Sequence, residues 1–247
     1  MKKTVLITND DGIYGPGLRP LIREIKRVAK VVVVVPDQER SGTSHSITLH
    51  KPLRVQKVGR DIFMANGTPA DCVRFGARSL FKGRIDAVVS GINSGPNLGQ
   101  DVVYSGTVAG AREGTLLNIP SVAVSVAETG RGNFSLSAKF AAKLAGMILS
   151  EGIPAGLYLN VNVPYKIKGV KITDLCKRIY DEKIECRTDP RGLKYYWLAG
   201  KTVSGLSQPG TDLYAVEKHF VSITPLNINP TASESFNLFK RWIKDLS

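Results

Sequence analysis

The sequence predicts an α/β protein built on a doubly wound, mostly parallel sheet. Three observations predict it. Short β-branched runs are apolar on both faces, amphipathic stretches at helical spacing lie between them, and polar, glycine-rich segments follow several of the runs. The 247 residues suffice for one such domain with an appendage.

The elements follow in order. Thr4–Thr8 reads as a buried strand. Pro16–Lys30 reads as a helix, with Leu18, Leu21, Ile22, Ile25, Val28 and Ala29 on one face and Lys and Arg on the other. The five valines of Val31–Val35 make a central parallel strand, which Pro36 ends. Thr68-Pro69-Ala70-Asp71 is a helix start: Thr at the N-cap, Pro at the first helical position and an acid two further on. That helix is expected to reach Phe81. Asp86–Ser90 is a strand, Gly106–Leu117 a helix, Ser121–Val126 a strand, Asn133–Ser150 an amphipathic helix and Leu157–Val163 a strand. Repeated βα units imply right-handed crossovers.

After Pro164 the texture changes, so residues 1–164 are expected to form a Rossmann-like core and 165–247 a separate C-terminal unit of β arm, returning strand and helix. Within the latter, Tyr165–Gln208 reads as an extended β arm containing strands at Val170–Leu175 and Tyr195–Ala199. Phe220–Thr224 reads as a returning strand. Ser233–Leu246 is a terminal helix capped by Ser233, with Phe236, Phe239, Trp242, Ile243 and Leu246 as its apolar stripe. The arm and tail have two readings: packing on a second subunit, or folding back on their own domain.

Composition narrows the function. With 43% hydrophobic and 22% charged residues the chain is too apolar and varied for disorder. Lys and Arg number 34 against 21 Asp and Glu, a net charge of +13, which favours anionic partners. No run of about 18 apolar residues is present, so no membrane partner is expected. The apolar start at Val5-Leu6-Ile7 stops at Thr8-Asn9-Asp10-Asp11, too soon for a signal peptide. Cys72, Cys176 and Cys186 form no CxxC pair. Reduced thiols and a cytoplasmic location are the expectation.

Ligands of open parallel sheets bind beyond the carboxyl ends of the strands. Three polar loops are expected there: Thr8-Asn9-Asp10-Asp11-Gly12, the loop Pro36–Ser44, and Gly91–Gly99 with Asn93 and Asn97. Asp10 and Asp11 are adjacent carboxylates that repel unless a cation lies between them. Carboxylate, hydroxyl and amide oxygens from Asp10, Asp11, Ser41 and Asn93 suit Mg²⁺ or Mn²⁺. The competing reading of Asp10-Asp11-Gly12 is a turn capping the first helix. Ser105, Gly106 and Thr107 open a helix whose free N–H groups suit an anion, with an ordinary Ser/Thr cap as the alternative. No GxxxxGK[ST], GxGxxG or GxSxG segment occurs, which opposes P-loop, dinucleotide-binding dehydrogenase and serine-hydrolase chemistry. His45 could touch a substrate or be a solvated loop residue, whereas His50 and His219 read as structural. Cys72 reads as a core thiol. Tyr195-Tyr196-Trp197 fits an interface strand better than a base-stacking platform.

Taken together, these segments resemble the SurE family, the stationary-phase survival proteins. The resemblance rests on Thr8-Asn9-Asp10-Asp11-Gly12, Pro36-Asp37 with Arg40-Ser41-Gly42, Gly67-Thr68-Pro69-Ala70-Asp71-Cys72, Ser90-Gly91-Ile92-Asn93-Ser94-Gly95-Pro96-Asn97, Tyr104-Ser105-Gly106-Thr107-Val108-Ala109 and Val221–Leu226. It implies a Rossmann-like core, a C-terminal region swapped between subunits, and a homodimer or homotetramer. It also implies a metal-dependent 5′-nucleotidase that hydrolyses nucleoside monophosphates, 3′ as well as 5′, and in some members short polyphosphate. One divalent metal ion per subunit would sit on Asp10, Asp11, Ser41 and Asn93. Phosphate would sit on Asn97, Ser105, Gly106 and Thr107, with Asn9 beside the catalytic pair. Asn227 stands where the family often has histidine. The rival class is a basic nucleic-acid-binding protein, but aromatics are only 7% and the cations are scattered.

Overall fold

The computed structural model describes residues 2–82, 84–128, 130, 132–180, 183–199 and 202–246. In chain order the elements begin β1 (Thr4–Thr8), α1 (Leu18–Val28), β2 (Lys30–Pro36), β3 (Val55–Gly59), β4 (Ile62–Ala65), α2 (Pro69–Phe75) and β5 (Ala87–Asn93). There follow α3 (Gly106–Leu116), β6 (Ser121–Val126), α4 (Phe134–Glu151), β7 (Leu157–Val163) and β8 (Gly169–Ile172). The C-terminal part holds β9 (Arg178–Tyr180), β10 (Lys183–Thr188), β11 (Lys194–Ala199), β12 (Thr202–Gly205), α5 (Asp212–Glu217), β13 (Phe220–Asn227) and α6 (Phe236–Leu246).

One nine-stranded sheet runs in the order β3-β4-β2-β1-β5-β6-β7-β13-β8. From β4 to β7 all neighbours are parallel. β3 is antiparallel to β4 and β13 to β7, while β8 is parallel to β13. This is the doubly wound, mostly parallel architecture the sequence predicts. Alternation divides the strand side chains between two layers. Val5, Ile7, Val31, Val33 and Val89 pack with Leu21 and Ile25 of α1 and with Ala141 and Ala145 of α4. Leu6, Val32, Val34 and Val88 face the other way, against Cys72 and Val73 of α2. Burying each such valine or leucine contributes about 1.5–3 kcal/mol.

Local signals explain most boundaries. Thr68 caps α2 in a full capping box with Asp71, with Pro69 at the first turn. The helix is shorter than expected, ending at Phe75 and continuing as one wide turn, Gly76–Leu80. Asn133 caps α4 by accepting from the Leu136 N–H at 3.0 Å. α3 lies unusually close to the sheet. A Cβ on Gly110 would stand 2.6 Å from Ser90 Oγ, and one on Gly114 2.2 Å from Ser121 Oγ.

The C-terminal part departs from a simple arm. β8 and β13 join the main sheet, so that sheet crosses the expected boundary at residue 164. Outside the main sheet stand two separate antiparallel pairs, β10–β11 and β9–β12. α6 starts at Phe236 after a 3₁₀ turn, Ser233–Ser235; Ala232 precedes that turn, so Ser233 does not cap the helix. Tyr196, Trp197 and Leu198 of β11 and Phe236, Phe239, Trp242 and Ile243 of α6 are exposed. Among the described residues no helix is long and apolar enough to cross a membrane.

Candidate active site

The sheet's strand order reverses between β2 and β5, on either side of β1, and the loops leaving these strands meet there. Asn9, fully buried, closes the first loop. Its Nδ2 donates to the Gly12 carbonyl at 2.9 Å and its Oδ1 accepts from the Gly12 N–H at 3.1 Å. Gly12 has φ +79°, and a Cβ there would lie 2.9 Å from the Gln38 carbonyl carbon and oxygen, so the turn demands glycine. This tight turn presents Asp10 and Asp11 at the end of β1.

Asp10 is buried against the start of α3. Thr107 Oγ1 donates to its Oδ1, and Gly106 is so close that a Cβ there would stand 2.9 Å from Asp10 Cβ. Ser105 caps α3, its Oγ accepting from the Val108 N–H at 3.1 Å. The start of α3 therefore packs directly against Asp10, with Thr107 bonded to its carboxylate. Burial pushes Asp10 up to about 6, Thr107 pulls it down, and the Asp11 charge adds to the rise. Asp11 is also raised, by burial first and by Glu39, while Ser94 Oγ donates to Asp11 Oδ2 at 3.1 Å and opposes the rise.

The loop after β2 is pinned across the site. Arg40 N–H donates to the Asp10 carbonyl at 2.7 Å, and Ser44 N–H to the Tyr104 carbonyl at 3.0 Å. Ser41 lies between these pins, exposed, its Oγ donating to Glu39 Oε1 at 2.8 Å. Asn93 ends β5 and donates to the Gly95 carbonyl at 2.8 Å. Asn97 is held on three sides. Its N–H donates to Asn162 Oδ1 at 2.8 Å, its side-chain Nδ2 donates to Ser125 Oγ at 2.7 Å, and its carbonyl accepts from Asn160 at 2.8 Å and Asn162 at 3.0 Å.

Two carboxylates of raised pKa share this rim, and among the described residues no ion pair reaches either. Nor do the described residues contain a cluster of three or more His, Cys, Asp and Glu arranged for a metal. A thiolate or imidazole centre is thus not what the residues offer. Two carboxylates with hydroxyl and amide oxygens nearby fit one hard divalent cation, which would relieve the repulsion that burial aggravates.

Ser94, Glu39, Ser125, Asn160 and Asn162 touch this constellation and are not singled out by the motif pattern. Ser94 falls inside a motif, but nothing in the sequence tells its hydroxyl from its neighbours'. Asn160 and Asn162 leave a trace, two amides alternating with Val161 and Val163 in a strand otherwise apolar. His45 sits away from the carboxylates. Its Nε2 lies 2.9 Å from Glu113 Oε2, and Arg74 pairs with the other oxygen of that buried carboxylate at 2.8 Å. His50 is exposed, and Cys72 is a fully buried thiol whose pKa burial raises.

The chain matches the family model described as survival protein SurE over residues 5–182. It is 45% identical to the 5′-nucleotidase SurE of Geobacter metallireducens over 243 residues, 96% of each chain. It is 48% identical to that of Moorella thermoacetica over 236 residues, covering 92% of this chain and 91% of the other. Its fold superposes on the crystal structure of the SurE protein from Aquifex aeolicus with a TM-score of 0.85 at 42% identity, covering 97% and 99% of the two chains. A match of this length makes the chain a member of the SurE family.

Proposed function

We propose that the chain is a metal-dependent 5′-nucleotidase, hydrolysing nucleoside monophosphates to nucleoside and phosphate. The observation that carries this reading is the pair of adjacent carboxylates Asp10, buried against the amino end of α3, and Asp11, half-buried, neither with a cationic partner among the described residues. Relatives of near-full-length similarity bear the name 5′-nucleotidase. Asp10, Asp11, Ser41 and Asn93 would hold one Mg²⁺ or Mn²⁺ per subunit. Bound there, the ion supplies a Lewis acid for a phosphoryl oxygen and lowers the pKa of water.

The chain's own groups do the rest. Asn97, the Ser105 hydroxyl and the first amides of α3 bind the remaining phosphate oxygens, and preorganised dipoles of this kind stabilise charge in the transition state. Thr107 locks Asp10 in one rotamer, and Asn9 fixes the turn that aims both carboxylates. Nucleoside 3′-monophosphates and short polyphosphate are further substrates of the same site. The exposed apolar side chains of β11 and α6 support a homodimer or homotetramer in which the C-terminal segment packs on a second copy. A cytoplasmic location accords with the free cysteines.

A phosphate-release screen over nucleoside monophosphates tests the reading, with EDTA added and Mg²⁺ or Mn²⁺ then restored. Release that EDTA stops and metal restores is expected. Salt-sensitive binding of DNA or RNA without any phosphate release would instead establish the nucleic-acid-binding class.

A further inference from the structure

We propose that Ser125, Asn160 and Asn162 are positioning residues for phosphate, acting through Asn97; this rests on the nucleotidase reading of the site. Sheet register brings the three together. Ser125 of β6 pairs with Asn162 of β7, and Asn160 is two residues back along β7 on the same face. All three are fully buried; Ser125 and Asn162 lie toward the carboxyl ends of their parallel strands, the ends that face the ligand loops, and Asn160 lies midway along β7. Apolar side chains would fill these places with no polar group to satisfy, as Val161 and Val163 do beside them.

Their hydrogen bonds converge on one residue. Asn97 has its N–H, its carbonyl and one side-chain N–H engaged by this trio, across strands 28 to 65 residues away in sequence. Both backbone groups of Asn97 are thus held from β7, and its amide plane is turned by β6. The side chain retains a second N–H, whose direction the Ser125 bond determines. A loop residue held this way has lost its rotamer freedom before an anion arrives, which is what preorganised binding requires. Asn160 contributes its Nδ2 to the Asn97 carbonyl, while its own Oδ1 is buried without a hydrogen-bond partner among the described residues. An unmatched buried acceptor beside the loop is difficult to explain as a device for stability alone.

The test compares Ser125→Ala and Asn162→Ser with Ser121→Ala. Ser121 lies at the other end of β6 and also spends a buried hydroxyl, on the Ile119 carbonyl at 2.7 Å. Three quantities are measured on the full chain shown by circular dichroism to be folded: the Kd of inorganic phosphate by calorimetry with Mn²⁺ present, the Kd of Mn²⁺ alone by electron paramagnetic resonance, and KM with kcat for a nucleoside monophosphate. Ser125→Ala and Asn162→Ser are expected to raise the phosphate Kd and KM about tenfold, with kcat changed less and the Mn²⁺ Kd within about twofold. Ser121→Ala is expected to leave all of these unchanged. If folded Ser125→Ala, the milder change, binds phosphate within about twofold of the native chain, the inference is overturned while the nucleotidase reading stands. A native chain that neither binds phosphate nor releases it from nucleotides would overturn both.

Discussion

Replacing Gly110 by alanine asks how far catalysis depends on the close approach of α3 to the sheet. The new Cβ would lie 2.6 Å from Ser90 Oγ, 2.9 Å from Thr8 Cγ2 and 3.2 Å from Ser90 Cβ. Rotating the Ser90 hydroxyl relieves only the first contact. Carbon atoms prefer about 3.5–4.0 Å, so the helix must retreat by roughly 0.5–1 Å at this turn. Alanine improves helix propensity by about 1 kcal/mol, and overpacking costs about 1–3 kcal/mol. The net loss is about 0–2 kcal/mol, equivalent to a Tm decrease of up to roughly 8 °C for a domain of this size. The effect on activity should be larger. Thr107 is one turn before Gly110 and carries the hydrogen bond to Asp10, and a displacement of about 1 Å at a reacting centre can cost about 100-fold. Thermal melting and phosphate release at saturating Mn²⁺ separate the two effects. A Gly110→Ala variant that melts higher than native and turns over normally would show that the separation of α3 from the sheet does not govern the site.

Asp10→Asn should abolish turnover yet raise the melting temperature of the metal-free protein at pH 8, because it removes a buried charge that nothing described neutralises; an unchanged or lower melting point would count against that electrostatic picture. Asp71 accepts from the Thr48 N–H at 2.9 Å, from the Thr48 hydroxyl at 2.6 Å and from the Thr68 N–H at 2.9 Å. Burial alone would raise its pKa, but these bonds outweigh it and the pKa is lowered, so the stabilisation is present above about pH 4 and is lost as pH falls through the folded value. Asp71→Asn should therefore cost about 1–2 kcal/mol in urea at pH 7 and progressively less toward pH 3. Of three free cysteines only Cys186 is exposed, and burial pushes Cys176 up to about 12. One thiol should react with a disulfide reagent in the native protein and three after unfolding; rapid reaction of a second in the native state would contradict the packing of Cys72 and Cys176.

The elements legible in the sequence are those whose burial leaves a one-dimensional pattern. The valines of β2 are read correctly because a strand buried on both faces is apolar throughout, and β7 because Leu157, Tyr158, Leu159, Val161 and Val163 keep it mostly apolar around its two amides. Thr68-Pro69-Ala70-Asp71 and Asn133 announce their helices through capping chemistry alone. β3 escapes notice because it is the sheet edge, with Gln56 and Lys57 exposed, so no apolar run marks it, and β4 escapes because its run is only the four residues Ile62–Ala65. The placement of β8 and β13 is illegible for another reason. Their partners are fixed by long-range pairing, Ser222 with Asn162 and Ile223 with Ile172, which no local pattern encodes. The same distinction divides the site. Asp10, Asp11, Asn97 and Ser105–Thr107 stand out as motif residues, whereas Ser94, Ser125, Asn160 and Asn162 acquire meaning only when register sets them beside those motifs.

The net charge of +13 and the acidic centre of the site answer each other. Lys26, Arg27, Lys30, Lys57, Arg60, Lys139 and Lys143 are all exposed, on α1, β2, β3, the β3–β4 turn and α4. Asp10, in contrast, is buried and Asp11 half-buried, and their side chains meet the hydroxyls of Thr107 and Ser94 and no cation among the described residues. A phosphorylated substrate is thus attracted at long range by the surface and repelled at short range by the bare carboxylates. On the proposed function, a divalent cation on Asp10 and Asp11 would reverse the sign at contact. Metal and anion would then bind cooperatively, each removing the charge that opposes the other. On this reasoning the Kd for inorganic phosphate measured with Mn²⁺ present should be lower than without it by at least tenfold. Equal affinities would mean that the carboxylates and the anion site do not share one field.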